Sequence, residues 1–274
     1  MKQNNKNNDS QIIAALYKFS AISDDQANCE KIADALRITC QKAGTLGTLI
    51  LAPEGVNGTI CGPRDAIDRV LDHLRLLPGL ADLEAKISRA DRPVFRRMKV
   101  KVKSEIVTLK AGEIDVPALT GRHVTPDQWN QLIQSPETLV IDTRNTYELE
   151  VGRFKGAVSP ETENFREFVD YIEQKLTDQK NRPIAMYCTG GIRCEKATAY
   201  MRAQGFKNVH QLDGGILKYL EETPKEQSLW EGECFVFDER VAVDQDLNPG
   251  SYALCRGCRH PITAEDKKYK VSRG

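Results

Sequence analysis

The chain alternates short apolar runs with amphipathic stretches, each about the length of one secondary-structure element. After a polar opening, MKQNNKNNDSQ, the run IIAALYKFSAI (residues 12–22) has the length of a strand. Asp24 and Asp25 then open a helical stretch in which Ala27, Ile32, Ala35, Leu36 and Ile38 approximate one face. TLGTLILA (45–52) and GTICG (58–62) read as strands separated by PEGVNG, a segment rich in turn formers. From Pro63, residues Ile67, Val70, Leu71, Leu74 and Leu77 recur at helical spacing until Pro78-Gly79, and residues 83–87 form a further strand.

This strand–helix–strand–strand–helix–strand order predicts a ferredoxin-like α+β domain over 11–111, preceded by a disordered tail at 1–10. Within it, Arg97, Lys99, Lys101 and Lys103 alternate with Met98, Val100 and Val102, which in a strand puts four cations on one face. Residues 86–110 carry nine Lys or Arg against only Asp91 and Glu105. Two readings are open: a solvated edge strand guarded by lysines, or a stripe that contacts nucleic-acid phosphates.

A linker (112–123) containing Gly112, Pro117 and Gly121 leads to a second domain over 124–226. Its pattern is a helix at 124–133 capped by Thr125, a buried strand TLVIDTR, a helix at 165–176, a strand RPIAMYC, a helix at 195–204, a strand NVHQLDGG and a helix at 216–221. Strands alternating with helices predict an α/β domain with a parallel sheet. Residues 227–274 read as a small irregular C-terminal segment, with the acidic stretch 231–246 as a solvated connector.

Composition changes this picture little. The chain has 274 residues, 40% hydrophobic and 28% charged, which excludes wholesale disorder. Lys plus Arg (39) equals Asp plus Glu (39), so net charge points to no partner. The apolar runs fall far short of the ~20 residues of a membrane span, and the polar N-terminus lacks the core of a signal peptide. With eight cysteines and no secretion signal, the expectation is free thiols in a reducing cytoplasm.

The sharpest chemistry lies in MYCTGGIRCEKATAYM (186–201). A buried strand ends in Cys188, a loop with Gly190 and Gly191 follows, and a helix begins near Cys194-Glu195. Backbone N–H groups of the loop (Thr189, Gly190, Gly191, Ile192, Arg193, Cys194) and the helix N-terminus would converge on the Cys188 sulfur. Together with the charge of Arg193 they would depress its pKa, as a nucleophilic cysteine requires. Cysteine phosphatases need C-x5-R; here that arginine position holds Cys194, and Arg193 comes one residue early. The shorter loop fits the tighter cradle of a sulfurtransferase.

The surrounding sequence resembles the rhodanese superfamily. IDTRNTYELEVGRFKGAVSP (141–160) is similar to its first signature, with Asp142, Arg144, Glu148, Gly152 and Gly156, and FKNVHQLDGGILKY (206–219) to its closing one. More narrowly, APEGVNGTICG, FRRMKVKVKSEIVTL, CTGGIRCEKA and CFVFDERVAV are similar to the bacterial tRNA uridine hydroxylases of the YceA type, over residues 12–260. That resemblance implies a tRNA-modifying enzyme acting at the anticodon, which installs oxygen at C5 of the wobble uridine with molecular oxygen as co-substrate. It makes Cys188 the essential cysteine, 189–194 its cradle, and the Arg97/Lys99/Lys101/Lys103 stripe a tRNA-backbone contact. No membrane and no obligate protein partner are implied. The cradle alone would equally suit a rhodanese-type sulfurtransferase carrying a Cys188 persulfide; a non-catalytic RNA-binding module is the third reading.

No flavin or nicotinamide fingerprint is present, and His73, His123, His210 and His260 make no pair typical of a facial iron site. Cys194 either resolves an oxidised Cys188 or packs as a small residue. Cys29, Cys40 and Cys61 lack motif spacing, and Cys234 reads as structural. Cys255 and Cys258, with His260 close behind, form half of a structural zinc site.

Overall fold

The computed structural model describes residues 11–271, so the tail expected at 1–10 lies outside the described residues. The chain divides into two compact units between Thr108 and Leu109.

The first unit runs β1 (Gln11–Phe19), α1 (Gln26–Ala43), β2 (Leu46–Ala52), β3 (Gly55–Gly62), α2 (Arg64–Arg75), β4 (Ala85–Ala90) and β5 (Met98–Val102). Its sheet has the order β4-β1-β3-β2-β5, antiparallel except for β5, which runs parallel to β2. The first four strands and two helices are the expected ferredoxin-like arrangement; β5 extends the sheet by one edge strand. Two local expectations change. The apolar face of α1 is Cys29, Ala33, Leu36 and Cys40, whereas Ile38 is 53% exposed and Ala27 and Ala35 also face solvent. Cysteine filled the core positions that larger aliphatics seemed to mark in sequence, which accounts for Cys29 and Cys40 as packing residues. The PEGVNG segment is also not a six-residue loop. The chain turns at Pro53-Glu54 and pairs again from Gly55, where any Cβ would lie 2.0 Å from the Lys18 carbonyl oxygen.

On β5, Val100 is buried in the core, and Met98 and Val102 pack against it. Lys101, with Arg97 and Lys103 flanking the strand, is exposed, while Lys99 is half-buried. The strict alternation read from the sequence therefore holds in space.

The second unit contains α3 (Val116–Leu119), β6 (Arg122–Val124), α4 (Pro126–Ile133), β7 (Leu139–Asp142), α5 (Thr146–Leu149), β8 (Gly152–Phe154), α6 (Phe168–Lys175), β9 (Ile184–Tyr187), α7 (Ile192–Ala203), β10 (Val209–Leu212) and α8 (Gly215–Glu222). The parallel sheet has the order β6-β10-β9-β7. The stretch expected as a linker, 112–123, thus holds α3 and part of an edge strand of this sheet. Thr125 and Gln128 form a reciprocal capping box at the start of α4, with Pro126 in the first turn.

The C-terminal segment departs most from expectation. It forms β11 (Trp230–Gly232), which pairs with β8, then β12 (Cys234–Phe235) and β13 (Ala242–Val243), β14 (Ala253–Leu254) and β15 (Pro261–Ile262), and α9 (Ala264–Val271). Trp230, Cys234, Val236 and Val243 share one hydrophobic core with Trp129, Phe154, Tyr187 and Tyr219. The acidic stretch 231–246 is therefore a packed part of the second unit and not a solvated connector. Its charges lie on alternate positions and in the turn, so a net count concealed an apolar face.

Candidate active site

Strand β9 ends at Tyr187, and Cys188 is the next residue, at the C-terminal edge of the parallel sheet. The backbone then curls through Gly191, whose φ of 105° lies where side chains are disfavoured, into the first turn of α7. This aims the Gly191 N–H at the Cys188 sulfur, 3.1 Å away. The Cys188 thiol is buried, and burial alone opposes its ionisation. A hydrogen bond from the Cys194 thiol, the positive charge of Arg193 and the N–H groups of Cys194 and Gly191 outweigh that penalty, lowering the pKa to about 5. Cys194 is pushed the other way, by burial and by the neighbouring thiolate. The two sulfurs thus form one unit in which Cys188 is ionised and Cys194 is the protonated donor. Thr143 Oγ1 lies 3.5 Å from Cys194 Sγ and donates to the Tyr187 carbonyl.

Arg193 does not point out of the cradle as a free cation. Its guanidinium makes two short bonds to Glu148 of α5, Nη1–Oε1 2.6 Å and Nη2–Oε2 2.8 Å. Burial raises the Glu148 pKa, but the Arg193 charge and hydrogen bonds overcome this and hold it below the usual carboxylate range. Thr189 Oγ1 donates to the same carboxylate at 3.4 Å. Arg193 therefore acts on Cys188 as a fixed charge, partly offset by Glu148.

A second buried pair supports the strand ends. Arg144 forks onto Asp142, with Nη2–Oδ2 at 2.6 Å, and also donates to the Gly152 carbonyl at 2.7 Å. Its guanidinium lies 5.2 Å from the Trp230 ring centre, so the C-terminal segment closes over this pair. The opposite wall of the cradle is the start of α8, where the N–H groups of Ile216 and Leu217 bond the carbonyls of Cys188 and Thr189 at 3.0 and 3.1 Å. Gly190 and Ile192, the remaining loop residues, are half-buried.

The structure brings Cys188, Thr189, Gly190, Gly191, Ile192, Arg193 and Cys194 together as the sequence suggested. Sequence reasoning named Glu148 without its partner, and it missed the Trp230 ring beside Arg144 and Gly215 at the start of α8. The adjacent Gly214-Gly215 pair was a usable signal for a close backbone approach. Cys255 is buried and Cys258 exposed, and the His260 ring is stacked on Tyr147, 4.9 Å between centres. Among the described residues no group of three or more His, Cys, Asp or Glu side chains is placed to hold a metal ion. Cys234 is buried, and burial pushes its thiol up to about 12, as expected of a packing residue. No helix among the described residues is long and apolar enough to cross a membrane.

A parallel sheet that delivers a low-pKa cysteine into a glycine-lined loop at a helix N-terminus defines a rhodanese-like domain, and residues 125–222 match that family. Residues 11–106 match the UPF0176 acylphosphatase-like domain. In this order the two domains have the architecture of the UPF0176/TrhO family. Among solved structures, the chain is similar to the rhodanese-like domain of an Anabaena sp. protein, with 22% identity over 41% of this chain and 80% of that one and a TM-score of 0.34. It is also similar to a rhodanese-like domain protein from Staphylococcus aureus (23% identity, 36% and 90% coverage, TM-score 0.30). A third is the human single-domain sulfurtransferase (17% identity, 38% and 99% coverage, TM-score 0.34).

Proposed function

We propose that this protein hydroxylates C5 of the wobble uridine of tRNA, with molecular oxygen as co-substrate and Cys188 as the essential residue. The observation that carries the chemistry is the ionised Cys188, held by N–H donors and the Cys194 thiol. The resemblance to the tRNA uridine hydroxylases supports a tRNA substrate, and the cations Arg97, Lys99, Lys101 and Lys103 supply one face suited to a phosphate backbone. The base must leave its stack to meet a sulfur at the bottom of a cradle. There the thiolate adds to C6 and moves the C5=C6 electron pair towards C5 and O4. C5 becomes nucleophilic, takes up one oxygen atom and loses its proton, and expulsion of the thiolate restores the double bond. The second oxygen atom leaves as water, with two electrons and two protons from a thiol-class reductant. The role of the cradle is to keep Cys188 ionised for attack and to accept it again as leaving group.

Nucleoside mass spectrometry of tRNA from a strain lacking this gene tests the reading. Wild type restores 5-hydroxyuridine and its derivatives; Cys188→Ala does not. Restoration by both would remove Cys188 from the chemistry. Restoration by neither, with soluble protein, would remove the hydroxylase reading. One observation also favours sulfur transfer: the N–H groups that stabilise a thiolate stabilise a persulfide equally well. Strong thiosulfate:cyanide turnover would favour that alternative.

A further inference from the structure

Phe237 is 62% exposed, the one aromatic among the exposed large hydrophobic side chains of the described residues, and it lies against the cradle arginine. The Arg193 guanidinium sits 5.8 Å from its ring centre. The same guanidinium touches Thr189 Oγ1 of the cradle loop at 3.4 Å. Phe237 is therefore one side chain away from the loop that holds the Cys188 sulfur, on the same compact unit.

The turn that carries it is held by several contacts. Phe237 occupies the turn between β12 and β13, and the next residue, Asp238, is forked by Arg240 (Nη2–Oδ2 2.6 Å, Nε–Oδ1 2.9 Å) and caps the Arg240 N–H at 2.9 Å. The Val236 N–H bonds the Val241 carbonyl at 2.9 Å, closing the turn. Val241 completes it at a φ of 67°, a costly conformation for a β-branched residue. Beneath the ring, Phe235 packs edge-on at 5.1 Å and itself meets Tyr147 of α5 at 5.3 Å. A strained, ion-paired turn here presents an apolar ring to water. A ring so held is suited to receive a planar group.

We propose that Phe237 is the stacking platform for the wobble base as it enters the cradle. Aromatic rings take bases by stacking, and Phe237 keeps more than half of its surface open to an incoming pyrimidine. The inference rests on the wobble-uridine reading and assigns that base its binding surface. Phe237 receives the base beside the loop that holds Cys188.

The test is a binding cycle with full-length protein and two labelled anticodon stem-loops, identical except that one carries uridine and the other an abasic nucleotide at the wobble position. Wild type binds the uridine loop about tenfold more tightly than the abasic one, the size expected for one stacked base. Phe237→Ala and Phe237→Leu bind both loops with equal, weak affinity, because leucine keeps the apolar volume without the π-face. Phe237→Trp keeps the preference. If wild type shows the preference and both the Ala and Leu variants retain it, the base is held elsewhere and the stacking proposal falls while the hydroxylase reading stands. If wild type itself fails to distinguish the loops, the wobble-uridine reading falls and takes the platform with it.

Discussion

Glu148 and Arg193 face each other in a two-point ion pair, with the carboxylate fully buried and the guanidinium nearly so. Each is the main reason the other stays charged in a region that would otherwise neutralise it. Removing one partner leaves an uncompensated buried charge, which costs more than the pair itself contributes. Glu148→Gln keeps the shape and the acceptor that caps the Asn145 N–H, so it isolates the charge. Urea denaturation is expected to show a loss of about 3–5 kcal/mol. A loss below ~1 kcal/mol would mean that the guanidinium finds water or another acceptor once the carboxylate is gone.

Cys188 has a pKa depressed from an unfolded value of about 8.5. A group shifted downward stabilises the fold above its unfolded pKa and loses that contribution as pH falls through its folded pKa. The contribution therefore shrinks over the whole interval from about 8.5 down to about 5. The rate at which iodoacetamide alkylates Cys188, followed by peptide mass spectrometry, should already be on its plateau at neutral pH. Cys194→Ala removes one donated hydrogen bond and should move the inflection upward, while Cys194→Ser, which keeps a donor, should move it less. A wild-type rate still rising tenfold per pH unit towards pH 8.5 would show an ordinary thiol.

His123 on β6 gives the opposite sign. Its Nε2 lies 2.8 Å from Glu195 Oε1, and this hydrogen bond raises the imidazole pKa against the opposing effect of burial. For Glu195, burial raises the pKa, but the bond to His123 and those from Thr120 and Gln211 lower it overall, so it stays ionised. A raised pKa stabilises the fold below the unfolded value of about 6.5 and ceases to do so as pH rises through the folded value. The Tm gap between wild type and His123→Gln is expected to be widest below about pH 6.5 and to close as pH rises through the raised folded value. A gap independent of pH would show that the contact is held by shape alone.

How far the sequence could be read depended on whether the determining contacts were local. The strand–Cys188–glycine–helix geometry is written in consecutive residues, so the cradle was legible down to its N–H donors. The Thr125 cap and the alternation on β5 were legible for the same reason. Partnerships across long stretches of chain were not: nothing in the sequence announces that Glu148 and Arg193, 45 positions apart, pair. The C-terminal segment misled because its acids mask the alternation that buries Cys234, Val236 and Val243. On α1, Cys29 and Cys40 fill core positions, whereas Ala27, Ala35 and Ile38, expected on that face, lie outside it.

The cations beside and on β5 offer a quantitative check on the proposed RNA contact. Each Lys or Arg that neutralises a phosphate releases counterions and steepens the salt dependence of binding. Arg97, Lys101 and Lys103 are exposed, so replacing each with Gln should leave folding intact. With tRNA as ligand, each replacement should flatten the slope of log K against log salt by about 0.7–0.9 if its cation meets a phosphate. Unchanged slopes in all three variants would return the stripe to the role of a guarded sheet edge.

Gly215 tests whether the cradle is held from the α8 side. Its φ of 68° is already unfavourable for a side chain, and a Cβ there would meet the Cys188 carbonyl oxygen at 2.5 Å, the Thr189 carbonyl oxygen at 2.8 Å and the Gly190 nitrogen at 2.9 Å. These are backbone atoms and cannot swing aside as a flexible side chain would. Gly215→Ala must therefore either shift α8 or push the loop outward. Either movement weakens the bonds from the Ile216 and Leu217 N–H groups to the Cys188 and Thr189 carbonyls. A displaced loop no longer aims the Gly191 N–H at the sulfur, so the Cys188 alkylation inflection should rise along with a fall in Tm. Gly190→Ala is the control, because a Cβ at that position meets nothing within 4 Å. It should leave both readouts near wild type. If Gly215→Ala lowered Tm while the alkylation profile stayed in place, α8 would support the fold without setting the ionisation of Cys188.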